Sequence, residues 1–312
     1  MRFLILGARG MAGHVAALYL RERGHEVTGF ARTPSPACEE TVTGDALGRK
    51  TVRRTIEAQR PDVVVNGIGI LNTRVDADPA RGIYLNSCLP HELAMYCGDV
   101  GCKLIHISTD CVFSGKTGGY TETSVPDETS LYGRSKHLGE VEYGGHLTFR
   151  TSIIGPEFKA DGVGLFHWFM SQTGTVNGFT DVLWSGVTSI QLASAIEKAA
   201  AENLTGLYQL SNNKKISKYD LLRQLNWHCR KSEVMIFPKE ECLHAYDLGN
   251  FYRVPADNRK LNYEQYYEKG RIEKAKLNEF TSDSTEILDV EAVKEKLLSL
   301  EYVKNAMDLL QK

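Results

Sequence analysis

Glycine recurs at every third position in Gly7-Ala8-Arg9-Gly10-Met11-Ala12-Gly13, and few chain paths suit that spacing. The apolar run Arg2 to Leu6 precedes it and reads as a buried strand. Met11 to Glu22 follows, with Val15, Leu18 and Tyr19 at helical spacing. A strand that passes at once into a helix needs Gly7 for the tight turn. It needs Gly10 where backbone approaches a ligand and Gly13 where the helix lies close to the sheet. The helix start then offers free N–H groups and its positive dipole end, which suit the pyrophosphate of a dinucleotide. A merely tight strand–helix turn is the bland alternative, but the flanking strand and helix are what the phosphate-binding mechanism requires.

The same alternation continues along the chain. His25 to Phe30 reads as a second strand, Leu47 to Gln59 as a helix, and Asp62 to Asn66 as a third strand. Pro79 to Val100 reads as a helix, Lys103 to Ser108 as a fourth strand, Ser130 to Glu142 as a helix, and Leu147 to Thr151 as a fifth strand. Alternating strands and helices predict an α/β fold, a doubly wound parallel sheet whose ligands sit at the carboxyl ends of the strands. The expected division is a dinucleotide-binding domain over 1–151 and a smaller substrate-binding part over 152–262, interleaved with the last strands. A tail over 263–312 follows, in which Asp289 to Gln311 reads as a helix. That helix either packs on the body or makes a subunit contact, so a homodimer is one expectation.

Composition narrows the functional classes. With 312 residues, 42% hydrophobic and net charge −2, the chain can bury a core and has no basic face for nucleic acid. Seven cysteines, an odd number, include no Cys-x-x-Cys pair, so neither a disulfide framework nor zinc is expected. His228, Cys229, Cys242 and His244 lack a repeating tetrahedral spacing and read as core or surface. The apolar run from Met1 to Gly7 reads as too short for a signal peptide, and no apolar stretch of about 18 residues occurs, so the expected place is the cytoplasm, away from the membrane.

The end of the second strand, Gly29-Phe30-Ala31-Arg32-Thr33, carries no acid for a ribose 2′-hydroxyl. Arg32, with Arg9 in the glycine loop, would suit a 2′-phosphate, so NADPH is the expected cofactor ahead of NADH. Asp45, followed by Ala46 and Leu47, could accept from the adenine amino group or cap the next helix. Asn66 and Gly67 end the third strand with small residues that let the chain pass close to the cofactor.

Tyr132-Gly133-Arg134-Ser135-Lys136 puts Tyr132 and Lys136 on one face of a helix. A phenol needs help to release its proton at neutral pH, and an adjacent ammonium lowers its pKa. Lys136 can also hold the nicotinamide ribose. Ser108 and Thr109 end the fourth strand, where a hydroxyl can bond the carbonyl oxygen that Tyr132 protonates. Asn86 lies on the intervening helix, where its amide could order water behind Lys136.

The glycine loop, Ser108-Thr109-Asp110-Cys111-Val112-Phe113-Ser114-Gly115, Tyr132-Gly133-Arg134-Ser135-Lys136 and Arg150-Thr151-Ser152 stand in the order of an extended short-chain dehydrogenase/reductase. Together they resemble the dTDP-4-dehydrorhamnose reductase family over roughly residues 1–225. The resemblance implies a Rossmann-type fold and a catalytic set of Thr109, Tyr132 and Lys136. It also implies NADPH as donor and a nucleotide-diphospho-4-keto-6-deoxysugar as acceptor. Cys111 stands where that family has Tyr, and Ile153 where it has Trp; both positions face the sugar in the family, as Asp110 is expected to. The run Asn177 to Thr188, with Trp184 and Thr188 as candidate substrate contacts, points to a variant branch taking other sugars, such as a 2-acetamido-2,6-dideoxy-4-hexulose. A dehydratase reading lacks its Asp-Glu pair. An epimerase–reductase resembling GDP-fucose synthase would use Cys111 and His167. A non-catalytic dinucleotide-binding subunit, resembling the regulatory subunit of methionine adenosyltransferase, is the non-enzyme reading.

Overall fold

The computed structural model describes residues 1–240, apart from 117–119, 160–161, 213–214 and 231–232. The tail expected over 263–312 lies outside the described residues, as do Cys242 and His244. β1 (Arg2–Leu6), β2 (Glu26–Ala31), β3 (Glu40–Thr43), β4 (Val63–Asn66), β5 (Lys103–Thr109) and β6 (Leu147–Thr151) form one parallel sheet, joined by a seventh strand, Gly206–Leu210. The order across it is seventh strand, β6, β5, β4, β1, β2, β3. The inner strands β1 and β4 are short and apolar because both faces are covered, whereas the edge strand β3 is polar and partly exposed. Phe3 and Ile5 point to one layer with Val63, Val65 and Phe149; Leu4 and Leu6 point to the other with Val64 and Leu104.

The first layer is closed by α1 (Met11–Glu22), and the second by α2 (Arg49–Gln59) and the helix Leu89–Val100. Between β1 and β4 the winding reverses, and a crevice opens at the carboxyl edge. β4 stops at Asn66, paired with His106, whereas β5 runs on to Thr109, paired with Thr151 of β6. That overshoot carries Thr109 and Asp110 beyond the edge of β4.

The expected helix Pro79 to Val100 is interrupted. α3 (Asn72–Ala77) and α4 (Pro79–Ile83) lead into a π-helical turn, Tyr84–Cys88, before α5 (Leu89–Val100). Pro90 lacks the N–H that would bond the Asn86 carbonyl, so the ladder widens there. The helix expected to run from Ser130 to Glu142 is α6 (Leu131–Leu138), capped by the Ser130 hydroxyl, which accepts from the Gly133 N–H at 3.2 Å. It ends at Gly139, which lies against the Asn86 carbonyl where a Cβ would not fit.

Glu140 thereby leaves the helix and enters the interior. Both its oxygens accept from Arg150, each at 2.7 Å, and one also accepts from the Ser108 hydroxyl at 3.0 Å. Arg150, buried like Glu140, lies over the Phe113 ring.

The division at residue 151 is crossed by the sheet itself. The remaining elements are β7 (Ile153–Ile154), α7 (Leu165–Met170), β8 (Thr175–Phe179), β9 (Leu183–Trp184), β10 (Val187–Thr188), α8 (Ser189–Ala201), β11 (Gly206–Leu210, the seventh strand), β12 (Ile216–Ser217), α9 (Lys218–Arg230) and β13 (Met235–Lys239). α8 and β11 belong to the large layered body, α8 packing its alanines on α1. A smaller body forms round Phe169, Trp184, Leu221, Leu222 and Leu225. No described helix is long and apolar enough to cross a membrane.

The buried Arg150 partnership holds the Glu140 carboxyl below its ordinary range, against the upward push of burial. A depressed folded pKa stabilises the protein above the unfolded value of about 4.3 and is lost as pH falls through the folded one. Glu140→Gln should cost roughly 3–5 kcal/mol at pH 7 by stranding Arg150. Urea unfolding of the two proteins should show the gap narrowing in acid.

Candidate active site

Gly7 adopts φ +82°, a left-handed value that a side chain resists. A Cβ on Gly13 would strike the Gly7 carbonyl, so the third glycine is what lets α1 lie against the turn. A Cβ on Gly10 would meet only the Gly7 oxygen, at 3.2 Å, so the space before it is open. No side chain caps α1 and no acid lies in its first turn. Its leading N–H groups are therefore disposed for an anion. These features fit a dinucleotide pyrophosphate.

The other expected cofactor residues gather round the crevice with different degrees of freedom. Arg32 follows the last residue of β2 on the surface, and Arg9 donates to the Pro34 carbonyl at 2.5 Å. Asp45 accepts from Leu47 N–H at 3.0 Å; it braces its own turn and does not cap α2, whose N-cap is Gly48. Ala46 is buried beneath that turn and Leu47 is exposed. Met11, at the start of α1, touches Gly164 across the crevice. Gly67 packs against Gly7, with its N–H on the Leu6 carbonyl at 3.0 Å. Asn66 accepts from Ile68 N–H at 3.1 Å and meets His106 Nδ1 at 3.0 Å.

Asn86 lies close to Lys136: a Cβ on Gly69 would stand 3.4 Å from its Oδ1 and 3.9 Å from the lysine Nζ. Its side chain pins the loop after β4, exchanging 2.9 Å bonds with the N–H and carbonyl of Ile70, and donates to the Ser135 hydroxyl at 3.1 Å. Lys136 is buried and is held by the Ile107 carbonyl at 2.9 Å and by His106 Nε2 at 3.5 Å. His106 has no sequence signature of its own; it was missed because a strand-interior His reads as core. Burial lowers the Lys136 pKa to about 8, with the Glu140 charge opposing. Ser108 is turned inward to Glu140, which leaves only its backbone for a cofactor.

Tyr132, on α6, is buried, and α6 packs against the end of β5 and the turn after it, which bear Thr109 and Asp110. Thr109 accepts from Cys111 N–H at 3.1 Å and donates to Asp110 Oδ1 at 3.1 Å. Burial pushes the Tyr132 phenol upward, helped by Cys111 and Asp110, and the ammonium is turned to the β5 backbone. Asp110 is buried and raised to about 7, chiefly by burial, and its Oδ2 has no hydrogen-bond partner. Cys111 donates to Asp110 at 3.5 Å, and burial holds its thiol well above the ordinary range.

The expected sugar contacts separate into two groups. Ile153 is half-buried on β7 and His167 lies on α7 beside Gly162, both within reach of solvent. Trp184 is instead a core residue, 1% exposed, its ring N–H given to the Ser152 hydroxyl at 3.1 Å. Thr188 caps α8 in a reciprocal pair with Gln191. Both read as site residues only because they fall in a Gly- and Thr-rich run. Among the described residues no group of His, Cys, Asp and Glu could hold a metal ion.

A glycine turn at the switch point of a parallel sheet, with Thr109, Tyr132 and Lys136 at the same sheet edge, defines a Rossmann-type α/β fold. Over residues 1–245 the chain matches the RmlD substrate binding domain and belongs to that family; residues 257–304 match a polysaccharide biosynthesis protein C-terminal region. It is 42% identical over 80 residues to a UDP-glucose 4-epimerase of Rickettsia bellii, spanning 26% of this chain and 24% of that one. It is 32% identical over 143 residues to a probable low-salt glycan biosynthesis reductase of Haloferax volcanii, spanning 45% of this chain and 48% of that one. The chain thus spans half or less of either relative's length. A dTDP-4-dehydrorhamnose reductase of Bacillus anthracis, solved with NADP, shares the fold at TM-score 0.68 and 18% identity, covering 85% of this chain and 99% of that one.

The raised Asp110 carboxyl has a stability consequence. A folded pKa of about 7, above the unfolded value near 4, means stability is lost as pH rises between the two. Asp110→Asn should therefore raise the melting temperature relative to the parent at pH 8, by up to about 4 kcal/mol in stability, and change it little at pH 4. Calorimetry at the two pH values checks this.

Proposed function

We propose that this protein reduces the 4-keto group of a nucleotide-diphospho-6-deoxysugar, with NADPH as reductant and NADH as a poorer substitute. The observation that carries this reading is the packing of α6, with its buried Tyr132 and Lys136, against the end of β5 that bears Thr109, at the sheet edge that also bears the glycine turn. When bound, NADPH supplies hydride to the carbonyl carbon. The glycine turn and the first N–H groups of α1 would hold its pyrophosphate, Arg32 with Arg9 its 2′-phosphate, and Lys136 its nicotinamide ribose.

Thr109 and Tyr132 would grip the carbonyl oxygen in a buried setting, where hydrogen bonds to developing charge are strong. Tyr132 gives that oxygen its proton as negative charge builds. A buried phenol is a weak acid, yet an alkoxide is a stronger base than a phenolate, so the transfer still runs toward product. Asp110, Cys111, Ile153 and His167 are proposed to border the sugar. The glycan-biosynthesis name of one relative and the polysaccharide-biosynthesis match in the tail both support a carbohydrate substrate.

A second reading, epimerase with reductase, is favoured by relatives named UDP-glucose 4-epimerase and by Cys111 beside Asp110. Solvent deuterium appearing at carbons next to the product carbinol would establish it, and its absence would remove it.

The decisive assay scores NADPH consumption over a panel of 4-keto-6-deoxy sugar nucleotides, including a 2-acetamido-2,6-dideoxy-4-hexulose. Tyr132→Phe should lower kcat by ~10²–10⁴ and leave dinucleotide affinity nearly unchanged. Arg32→Ala should weaken NADPH roughly 10-fold or more against NADH, the worth of one charge-assisted hydrogen bond. No turnover on any panel member, with a stable complex to a partner synthetase, would replace the enzyme by a regulatory subunit.

A further inference from the structure

His106 lies in the middle of β5 and has no role in the reading above, yet it stands between two side chains that do. It is the register partner of Asn66 on β4. Its Nδ1 meets the Asn66 amide nitrogen at 3.0 Å, and its Nε2 meets Lys136 Nζ at 3.5 Å. All three side chains are buried, so every hydrogen in the row needs an acceptor inside the protein.

The row can be read from one end. The Ile68 backbone N–H only donates, so the Asn66 atom that it meets at 3.1 Å is the amide oxygen. The remaining Asn66 atom is the NH2 group, which also only donates, and it faces His106 Nδ1. Nδ1 must therefore accept and carries no hydrogen. A neutral imidazole then bears its hydrogen on Nε2, the nitrogen turned to Lys136. We infer that His106 is a positioning residue for Lys136: by turning an N–H toward Nζ instead of a lone pair, it denies the ammonium a second buried acceptor and loosens its hold on its proton. The inference rests on the reductase reading above, in which Lys136 holds the nicotinamide ribose.

An ammonium has three hydrogens. One goes to the Ile107 carbonyl at 2.9 Å, and the bare face of Nε2 that could have taken another is closed. On a further side lies Gly69, where even a Cβ would stand 3.9 Å from Nζ. Gly69 belongs to the loop after β4, and Gly67 of that loop packs on the glycine turn. The hydrogens that His106 refuses are thus left for a ligand in the crevice. Three other groups act on the pair. Glu140, beyond the end of α6, favours the ammonium but is committed to Arg150. Asn66 on β4 fixes the ring, and His91 on α5 joins burial and Lys136 in keeping His106 neutral. Burial outweighs Glu140 and lowers Lys136 to about 8. The ring N–H opposes the ammonium in the same direction, as dipole against charge, in an interior where such opposition is strong. A lysine so held is a cation for the ribose at neutral pH and still releases a proton, which one near the ordinary value of about 10.4 does not.

The test uses the full-length protein and begins with nitrogen NMR after histidine labelling, which reads the tautomer without substrate. The His106 signals, identified by their loss in His106→Phe, should show a bare Nδ1 and a protonated Nε2 from pH 6 to pH 9. A protonated Nδ1 in the wild type would overturn the assignment at once. Asn66→Asp keeps one oxygen for the Ile68 N–H and turns a second to the ring, so the tautomer should reverse and Nε2 should accept from the ammonium. The Lys136 titration, followed by carbon NMR of labelled lysine Cε, should then move up by about one unit or more, and His106→Phe should move it up by less. The alkaline limb of kcat, with NADPH and an accepted keto-sugar nucleotide, should follow both shifts. A reversed tautomer with an unmoved Lys136 titration, or no upward shift in His106→Phe, would reduce His106 to a space-filling residue. Should either variant fail to fold, the wild-type tautomer and the other variant still decide. If no keto sugar is turned over, the reductase reading fails by itself, and the two NMR titrations still settle whether His106 acts on Lys136.

Discussion

The contact between Gly13 and the carbonyl of Gly7 fixes where α1 begins relative to β1. Close approach there aims the helix N-terminus at the switch point and lets the alanine-rich face of α1 meet α8. Because every strand of the sheet is parallel, all carboxyl ends open on one edge. A phosphate site made by one turn must therefore share that edge with whatever β5 and α6 deliver. The overshoot of β5 past β4 then decides which residues stand above the crevice, and those are Thr109 and Asp110.

Burial of charge is the second governing condition. Four ionisable side chains, Asp110, Lys136, Glu140 and Arg150, lie in the interior beneath this edge. Glu140 and Arg150 neutralise each other with two short bonds, and Ser108 and His137 complete the carboxylate's partners. Among the described residues neither Lys136 nor Asp110 is joined in an ion pair, and Lys136 donates instead to the Ile107 carbonyl. Paired charges hold the scaffold and unpaired ones are left near neutrality in their titration, which is where proton chemistry needs them.

Much of this was legible from local pattern. Strands with both faces covered advertise themselves as apolar runs, so β1, β4, β5 and β6 could be read to within a residue or two. The four-residue interval from Tyr132 to Lys136 announced a shared face. What escaped was whatever depends on distant chain. β11 joins β6 across more than fifty residues of sequence, and nothing near Gly206 says so. Glu140 was read inside a helix running to Glu142 because Arg150, its partner, lies on a distant strand. Trp184 and Thr188 looked like site residues because turn-rich composition was taken for a binding loop, whereas one fills a core and the other caps a helix.

The π turn at Tyr84–Cys88 has a consequence for how this chain tolerates change in length. One surplus residue in a helical turn advances everything after it by about 100° around the axis. The stripe carrying Leu89 and Leu93 thus faces the sheet, while Asn86, a few positions earlier, also turns inward to grip Ile70. Deleting a single residue from this stretch would make a more regular helix, yet it would swing either the leucine stripe or the amide out of register. Insertions and losses that a surface helix absorbs without cost are therefore closed to this one, and the irregularity is kept by geometry rather than by any preference of its own residues.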